Sequence, residues 1–338
     1  MKKVSIEKAL GKVLAHDITE IIPGKKKDVA FQKGIIIGPN DMEKLLNLGK
    51  RHLYVFDGEV KGVHEDEAST RIARSVMNDN MELLPPKEGK VSIVSTVKGL
   101  FYVNEKRLYE MNRIKNVLLS TIPNRYPVNP GDVVAAAKII PLYIHERELK
   151  RVEKVSEKGL IRISPFRHFN VGLVITGSEI FDGRIEDGSD AVEKKIEGFG
   201  LSVIDKRIVT DDVSMIRAAV LSQLAMGADI VVTTAGLSVD PDDVTKEGVE
   251  ATGAKTLFYG TPVFPGAMFL VARLNGKYIL GAPACVYYNY NTVMDIILPR
   301  IMAGEEIHAK DMIKLSYGGL CLHCPVCHYP ACFFGKGP

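Results

Sequence analysis

Apolar and polar residues form a regular pattern in the second half of the chain. An uninterrupted apolar run at 171–176 is typical of a strand that is covered on both faces. Apolar positions at helical spacing follow at 192–199, and further strand-like runs lie at 201–209 and 229–233 with another helical pattern between them. This βαβαβ alternation predicts parallel strands with right-handed crossovers, in a doubly wound α/β domain at 166–310.

The first sixty residues have shorter and less regular patterns. Apolar positions at 6–14 recur at helical spacing, and residues 33–37 form a short strand-like run. Asp41 is placed to begin a helix that Gly49 would end. A buried strand is expected just before residue 57. Together these patterns predict a small α+β region at residues 1–60.

The middle of the chain favours β-structure. A helix is expected at 65–78. Short strand-like runs follow at 91–97, 100–103 and 133–140. The run at 146–158 is dense in charge, so we interpret it as a solvated surface or a linker. Residues 61–165 are therefore predicted to form a β-rich region.

Composition narrows the possible partners and the compartment. The 338 residues suffice for two or three domains, and 44 basic residues nearly balance 41 acidic ones. That balance gives no reason to expect nucleic acid as a partner. The longest apolar stretch, 133–144, is interrupted by Lys138 and is too short for a membrane span. Without a secretory signal we expect a cytoplasmic protein, whose five cysteines are thiols or metal ligands.

Two loops at the ends of predicted strands carry small residues and carboxylates. Residues 176–179 read Thr-Gly-Ser-Glu, and 233–238 read Thr-Thr-Ala-Gly-Leu-Ser before an acidic stretch at 240–245. Ligands of such sheets lie beyond the carboxyl ends of the strands. Backbone N–H groups and hydroxyls could bind a phosphate there, with magnesium between it and the carboxylates. Alternatively, the glycines only shape the turns and the aspartates cap the next helix.

These loops belong to a longer series of motifs. In order, the motifs are Thr176-Gly177-Ser178-Glu179, Gly183-Arg184-Ile185, Asp211-Asp212, Thr233 to Ser238, Gly281-Ala282-Pro283 and Leu298-Pro299 with Gly304. In this order they resemble the molybdopterin-binding domain that molybdopterin molybdenumtransferases share with gephyrin. The resemblance covers residues 170–307. More faintly, residues 9–15 are similar to the amino-terminal Ala-Leu-Gly-Arg-Val-Leu-Ala of the transferases.

The resemblance implies molybdopterin, a pterin dithiolene phosphate, as the ligand. The residues implied to bind it are Thr176, Gly177, Ser178, Glu179, Thr234, Gly236, Ser238, Asp242, Gly281 and Pro283. Asp240 and Asp243 are the candidate catalytic residues. Glu179 and the three aspartates would hold a magnesium ion beside the phosphate.

The chain also departs from the transferase pattern. No Asp-x-Ser-Ala-Met-Asp-Gly-Tyr block occurs near residues 21–31, and Thr-Gly-Gly appears as 234–236, Thr-Ala-Gly. Lys-Pro-Gly-Lys becomes Phe-Pro-Gly-Ala at 264–267, and Gly-Asn-Pro becomes Ala-Cys-Val at 284–286. Because two cations are lost, these departures favour a protein that binds the pterin over an active transferase.

A second signal lies in the tail, residues 311–338. Cys321, Cys324, Cys327 and Cys332 form a C-x2-C-x2-C-x4-C motif, which is typical of metal binding. We place a [4Fe–4S] cluster ahead of zinc, with a redox dithiol as a further alternative. The α/β domain has its own apolar strands and caps, so we expect it to fold without residues 316–338.

Two main functional hypotheses follow. The first is a protein that binds molybdopterin or its nucleotide in molybdenum or tungsten cofactor biosynthesis, maturation or delivery, with a metalloenzyme as a possible recipient. The second is an active molybdenumtransferase, which inserts molybdate into adenylyl-molybdopterin. A sensor of molybdate or redox state ranks last. A homo-oligomer is expected from the tendency of the family to dimerise.

Overall fold

The computed structural model describes residues 1–56 and 62–337. Its strands are β1 (Lys2–Ser5), β2 (Ile18–Ile22), β3 (Lys26–Phe31), β4 (His52–Val55), β5 (Val63–His64), β6 (Met81–Leu83), β7 (Lys90–Ser95), β8 (Gly99–Val103), β9 (Val117–Thr121), β10 (Tyr126–Val128), β11 (Val133–Ile139), β12 (Tyr143–Ile144), β13 (Ile161–Pro165), β14 (Asn170–Thr176), β15 (Ser202–Val209), β16 (Ile230–Thr234), β17 (Lys255–Tyr259), β18 (Leu270–Leu274) and β19 (Lys277–Ala282). Its α-helices are α1 (Asp41–Asn47), α2 (Glu65–Val76), α3 (Glu105–Asn112), α4 (Glu146–Ser156), α5 (Ser178–Phe181), α6 (Asp190–Gly198), α7 (Val213–Ala225), α8 (Thr245–Glu250), α9 (Val293–Met302) and α10 (Ala309–Lys314). None of the helices in these two ranges is long and apolar enough to cross a membrane.

The N-terminal region contains two antiparallel strand pairs and one short helix. Strand β1 pairs with β4, β2 pairs with β3, and α1 lies where a helix was predicted. The helix predicted at 6–14 is wrong, because only Ile6–Lys8 forms a single 3₁₀ turn and Leu10 is 50% exposed. The spacing therefore did not mark one buried face. The strand predicted at 33–37 is also wrong, and the predicted boundary at residue 60 lies outside the described residues.

The middle region contains two larger antiparallel sheets and the two-stranded pair β5–β12. One has the strand order β6-β7-β11-β9 and the other the order β10-β8-β13. The charged run at 146–158 is not a linker, because most of it forms helix α4, which buries Leu149 and Val152 on one side. A stripe of apolar residues three apart is enough to attach an otherwise polar helix to a core.

A six-stranded sheet forms the α/β domain. Its order is β15-β14-β16-β19-β18-β17, and the pairs β14–β15, β14–β16 and β16–β19 are parallel. Strands β17 and β18 are antiparallel, so the sheet is mixed at one edge. One face is covered by a core that includes Val192 of α6 and Ile297 of α9, and the other by a core that includes Val220 of α7 and Val249 of α8. The predicted doubly wound fold is confirmed.

The direction of winding reverses at β14. The chain passes from β14 to β15 on one side of it and then to β16 on the other side. The connections on the two sides of such a strand diverge, which leaves a crevice at the carboxyl ends of β14 and β16.

The tail packs into the α/β domain. Phe334 is 2% exposed and belongs to the same core as α9, and the Tyr329 hydroxyl donates to the backbone carbonyl of Asp295 at 3.0 Å. The Phe264 N–H donates to the Gly319 carbonyl, and the Cys321 N–H donates to the Phe264 carbonyl, each at 2.8 Å. The tail therefore supplies part of the core of the α/β domain. Folding of the domain without residues 316–338 stays a prediction, and the shared core argues against it.

Two adjacent phenylalanines test this packing. Phe334→Ala removes a buried ring, so the free energy of unfolding should fall by about 3–5 kcal/mol. Phe333 is 51% exposed, so Phe333→Ala should cost less than about 1 kcal/mol. Urea unfolding followed by circular dichroism measures both values. Equal effects of the two substitutions would contradict the docked tail.

Glu305, which follows α9, connects the α/β domain to the middle region. Its carboxylate accepts hydrogen bonds from Arg125 of the middle region at 3.0 Å and from Arg300 of α9 at 2.8 Å. Arg300 is 2% exposed. Although burial raises the pKa of Glu305, the hydrogen bonds from the two arginines lower it below the ordinary value. The carboxylate is therefore held in its charged form between two guanidinium groups.

Glu305→Gln should destabilise the protein by about 3 kcal/mol at neutral pH, because buried Arg300 loses its shorter carboxylate partner and is left with the longer pair to Asp311, at 3.6 Å. The folded pKa of Glu305 lies below the ordinary 4.5, so its stabilisation is complete above that pH. The stabilisation is lost as the pH falls through the folded pKa. The difference in the free energy of unfolding between wild type and variant should disappear there. Glu306 pairs only at the surface with Arg273, so Glu306→Gln should cost less than about 1 kcal/mol at every pH. Urea titrations from pH 7 down to well below pH 4.5 test both expectations. If the difference in the free energy of unfolding stays constant over this pH range, Glu305 does not stabilise the protein through its charge.

Candidate functional site

The crevice beside β14 brings the two predicted loops together. Strand β14 ends at Thr176, and α5 begins directly after Gly177. Strand β16 ends at Thr234, and its loop turns back so that the Thr245 N–H donates to the Gly236 carbonyl at 3.0 Å. The loops therefore lie at the same edge of the sheet, as the sequence predicts.

The threonines of these loops direct their hydroxyls into the protein. Thr176 and Thr234 are fully buried. The Thr176 hydroxyl donates to the Thr234 carbonyl at 2.8 Å and lies 3.0 Å from the Thr245 hydroxyl. The Tyr287 hydroxyl donates to Thr234 Oγ1 at 2.6 Å. The Thr176 hydroxyl thus joins the two loops, and its contact with a ligand stays a prediction.

The serines lie closer to the surface, and their backbone N–H groups are held by carboxylates. The Ser178 N–H donates to Asp211 at 2.8 Å, and the Ser238 N–H donates to Asp243 at 2.6 Å. Asp211 is not among the residues predicted to bind the ligand. The Asp211-Asp212 motif before α7 could have indicated it. A phosphate in the crevice would meet these two carboxylates together with the serine donors.

The remaining carboxylates border the open side of the second loop and of α5. Glu179, Asp240 and Asp242 are exposed, and Asp243 is partly buried. Asp240 accepts a hydrogen bond from the Asp242 N–H at 3.0 Å. Within residues 1–56 and 62–337, no three His, Cys, Asp or Glu side chains converge on a point where they could hold a metal ion. A cation here would need ligand atoms from outside the protein, such as a phosphate and water.

The third strand of the site ends in the Gly-Ala-Pro motif. A Cβ atom on Gly281 would lie 2.8 Å from a Leu237 methyl, so only glycine allows the second loop to approach β19. Pro283 caps the 3₁₀ helix Ala284–Tyr287, which positions the Tyr287 hydroxyl against the loop. Sequence reasoning missed Tyr287, because a lone tyrosine after a strand carries no signal of its own.

Cys285 lies in the same 3₁₀ helix. Burial raises the pKa of its thiol, so the thiolate form that binds metals is disfavoured. Cys285 is therefore a poor candidate for a ligand to molybdenum.

The other four cysteines line one cavity in the tail. Cys321, Cys324, Cys327 and Cys332 surround a space of about 250 Å³, with Tyr288 and neighbouring residues as its other wall. All four are free thiols, of which Cys321 and Cys332 are partly buried. The predicted ligands thus share a cavity, although their sulfurs do not converge on a single-ion position.

Comparison with known proteins identifies the class of domain. Residues 172–303 match the family described as "Probable molybdopterin binding domain". Residues 3–57 match a domain of unknown function. The α/β domain with its crevice therefore matches the molybdopterin-binding domain family, as the motifs predict.

The curated relatives that the chain matches include proteins named molybdopterin molybdenumtransferase. The protein from Staphylococcus aureus (strain COL) is 29% identical over 296 residues, which are 82% of this chain and 65% of the relative. The protein from Haemophilus influenzae is 25% identical over 184 residues, which are 52% of this chain and 43% of the relative. The chain thus spans less than two thirds of the length of either relative.

Two solved structures of cofactor-biosynthesis proteins each match less than half of the chain. The tungsten cofactor synthesizing protein MoaB from Pyrococcus furiosus is 19% identical and covers 40% of this chain and 91% of its own, with a TM-score of 0.32. The molybdopterin biosynthesis enzyme MoaB from Thermus thermophilus has the same identity and TM-score, and covers 40% of this chain and 98% of its own.

Gly236 tests how tightly the second loop is built. Its φ is +59°, and a Cβ atom would lie 2.2 Å from Thr245 Oγ1. Gly236→Ala should therefore lower the free energy of unfolding by at least about 1 kcal/mol more than Gly276→Ala. Gly276 also has a positive φ, but its Cβ atom would meet nothing within 4 Å. Equal losses in urea unfolding would contradict the close contact between Gly236 and Thr245.

Proposed function

We propose that this protein binds molybdopterin, or its nucleotide, and acts in the biosynthesis, maturation or delivery of the molybdenum or tungsten cofactor. The observation that carries the proposal is the crevice between β14 and β16, which lies inside the matched family domain. Ligands of open α/β sheets bind at this reversal of winding. The pterin phosphate would lie over the loops that begin at Gly177 and Ala235.

Magnesium is proposed as the ion that makes phosphate binding favourable. Asp211 and Asp243 already accept hydrogen bonds from the serine N–H groups, so an incoming phosphate meets negative charge. Magnesium usually takes one or two carboxylates and completes its shell with phosphate oxygens and water. Glu179 and Asp240 are exposed at the loops and are the proposed carboxylates, with Asp242 as a neighbour.

Insertion of molybdate is the second candidate function. The match to proteins named molybdopterin molybdenumtransferase over 82% of the chain favours it. Two differences disfavour it: Phe264 and Ala267 replace the lysines of the transferase pattern, and the tail is hydrogen-bonded to Phe264 at this position. A cation lost from a phosphate site costs about 1.5–3 kcal/mol. The transferase reaction should be more sensitive to this loss than pterin binding is, because catalysis needs every group placed for the transition state.

A metal centre in the tail is a separate part of the proposal. The four cysteines around one cavity support either an iron–sulfur cluster or zinc. A homo-oligomer that passes the pterin to a molybdo- or tungsto-enzyme is proposed from the family resemblance.

Glu179→Ala and Asp240→Ala should each weaken molybdopterin binding about ten-fold or more when magnesium is present. Without magnesium the affinities of wild type and variants should converge, because the carboxylates act through the cation. Fluorescence titration with the pterin, with and without MgCl2, measures this effect. Glu247→Ala removes an equal charge from an exposed position of α8 and serves as the matched control.

Two outcomes would contradict the proposal. If the wild-type protein does not bind molybdopterin in either condition, the binding function is wrong. If the purified protein efficiently converts adenylyl-molybdopterin and molybdate into active cofactor, the transferase function replaces the binding-only function.

A further inference from the structure

The cavity in the tail is wider than a site for one metal ion. Its volume is about 250 Å³, whereas roughly 10–15 Å³ is enough for one water-sized occupant. Zinc holds four thiolates at about 2.3 Å, which brings their sulfurs within about 4 Å of one another. Among the residues that the structure describes, no three such ligands converge in this way. Four cysteines around a space of this size leave room for a centre of several metal atoms, for which cysteine thiolates are the usual ligands.

The positions of the cysteines are fixed by the fold. The Cys321 N–H is bound to the Phe264 carbonyl, and the side chains of Cys321 and Cys332 pack against the α/β core. Phe334, two residues after Cys332, is buried in the same core. The motif is therefore anchored at both ends. The span between them, with Cys324 and Cys327, lies at the surface.

The surroundings of the sulfurs are suited to an anionic cluster. The Asn291 side-chain amide donates to Cys327 Sγ from the loop after β19. Hydrogen bonds to cysteine sulfur set the reduction potential of iron–sulfur clusters. On the other side, Lys336 lies 4.8 Å from the ring centres of Tyr126 and Tyr329. Lys336 makes no ion pair with a carboxylate within the described ranges, and burial lowers the pKa of its ammonium group to about 8.

We infer that Cys321, Cys324, Cys327 and Cys332 bind a [4Fe–4S] cluster in this cavity, each thiolate ligating a different iron. This inference deepens the metal-centre part of the proposed function and is independent of pterin binding. The cluster lies next to two loops of the α/β domain. One contains Phe264, which is hydrogen-bonded to the tail, and the other contains Asn291, four residues after Tyr287 of the pterin site.

The experiment measures metal and sulfide in the full-length protein, produced with excess iron and purified under anaerobic conditions. We expect about four iron and four sulfide ions per chain, with broad absorbance that dithionite bleaches. The reduced protein should show the EPR signal of a four-iron cluster. Protein incubated with zinc sulfate and then desalted should not retain one zinc ion per chain in a four-thiolate site.

Cysteine variants connect the cluster to the cavity. Cys324→Ser and Cys327→Ser alter surface positions, so they should keep the far-UV spectrum of the wild type while losing most of the iron. Cys285→Ser alters a thiol outside the cavity and should keep the full iron and sulfide content. Asn291→Leu should keep the cluster but shift its reduction potential, since one hydrogen bond to sulfur is removed.

Three results would overturn the inference. One is stoichiometric zinc without sulfide, which would leave a metal-binding tail of a different kind. Another is iron that Cys324→Ser and Cys327→Ser both retain. The last is metal-free protein in which all five thiols react with a maleimide. None of these results bears on molybdopterin binding, which the fluorescence titration measures separately.

Discussion

Helix α9 imposes the constraint on which the packing of the C-terminal half depends. All ten of its residues, Val293–Met302, are buried. A helix with apolar residues on every side must be covered on every side. The mixed sheet covers one side, and the middle region approaches through Arg125 and Glu305. The tail covers the rest with Tyr329 and Phe334. Since α9 needs all three partners, these parts of the chain are structurally coupled.

The candidate pterin site depends on the same arrangement. Buried hydroxyls join its loops: Thr176 connects β14 to β16, and Tyr287 connects the segment after β19 to Thr234. A buried hydrogen bond is costly to leave unmade, so these contacts hold the loops in one geometry before any ligand arrives. The exposed carboxylates and the exposed side chain of Ser238 lie on the outer side of these loops, where a ligand would meet them. The division between inner threonines and outer carboxylates explains why the loops combine small residues with acidic ones.

The sequence predicted the α/β domain better than the other regions, for a physical reason. Strands β14 and β16 are covered on both faces, so their apolar runs are continuous and easy to recognise. In the N-terminal region the apolar residues lie in short strands and turns. Leu10 is half exposed, so the helical spacing of apolar residues there does not correspond to a buried helix face. The predicted site loops meet at the reversal of winding. The partners that come from distant parts of the chain, such as Tyr287 and Asn291, could not be found by spacing, because their role depends on the tertiary fold.

The tail explains one departure from the transferase pattern. Where that pattern has Lys-Pro-Gly-Lys, this chain has Phe264 and Ala267, and the backbone of Phe264 is hydrogen-bonded on both its N–H and its carbonyl to the tail. A lysine at 264 would place its charge beside this backbone pairing and beside the cysteine cavity. An anionic phosphate and an anionic thiolate centre would then compete for one cation. If both proposed sites are occupied, apolar side chains at 264 and 267 would remove that competition, and the proposed magnesium ion would then compensate the charge of the phosphate. The loss of the two cations is thus physically consistent with the gain of the cysteine tail.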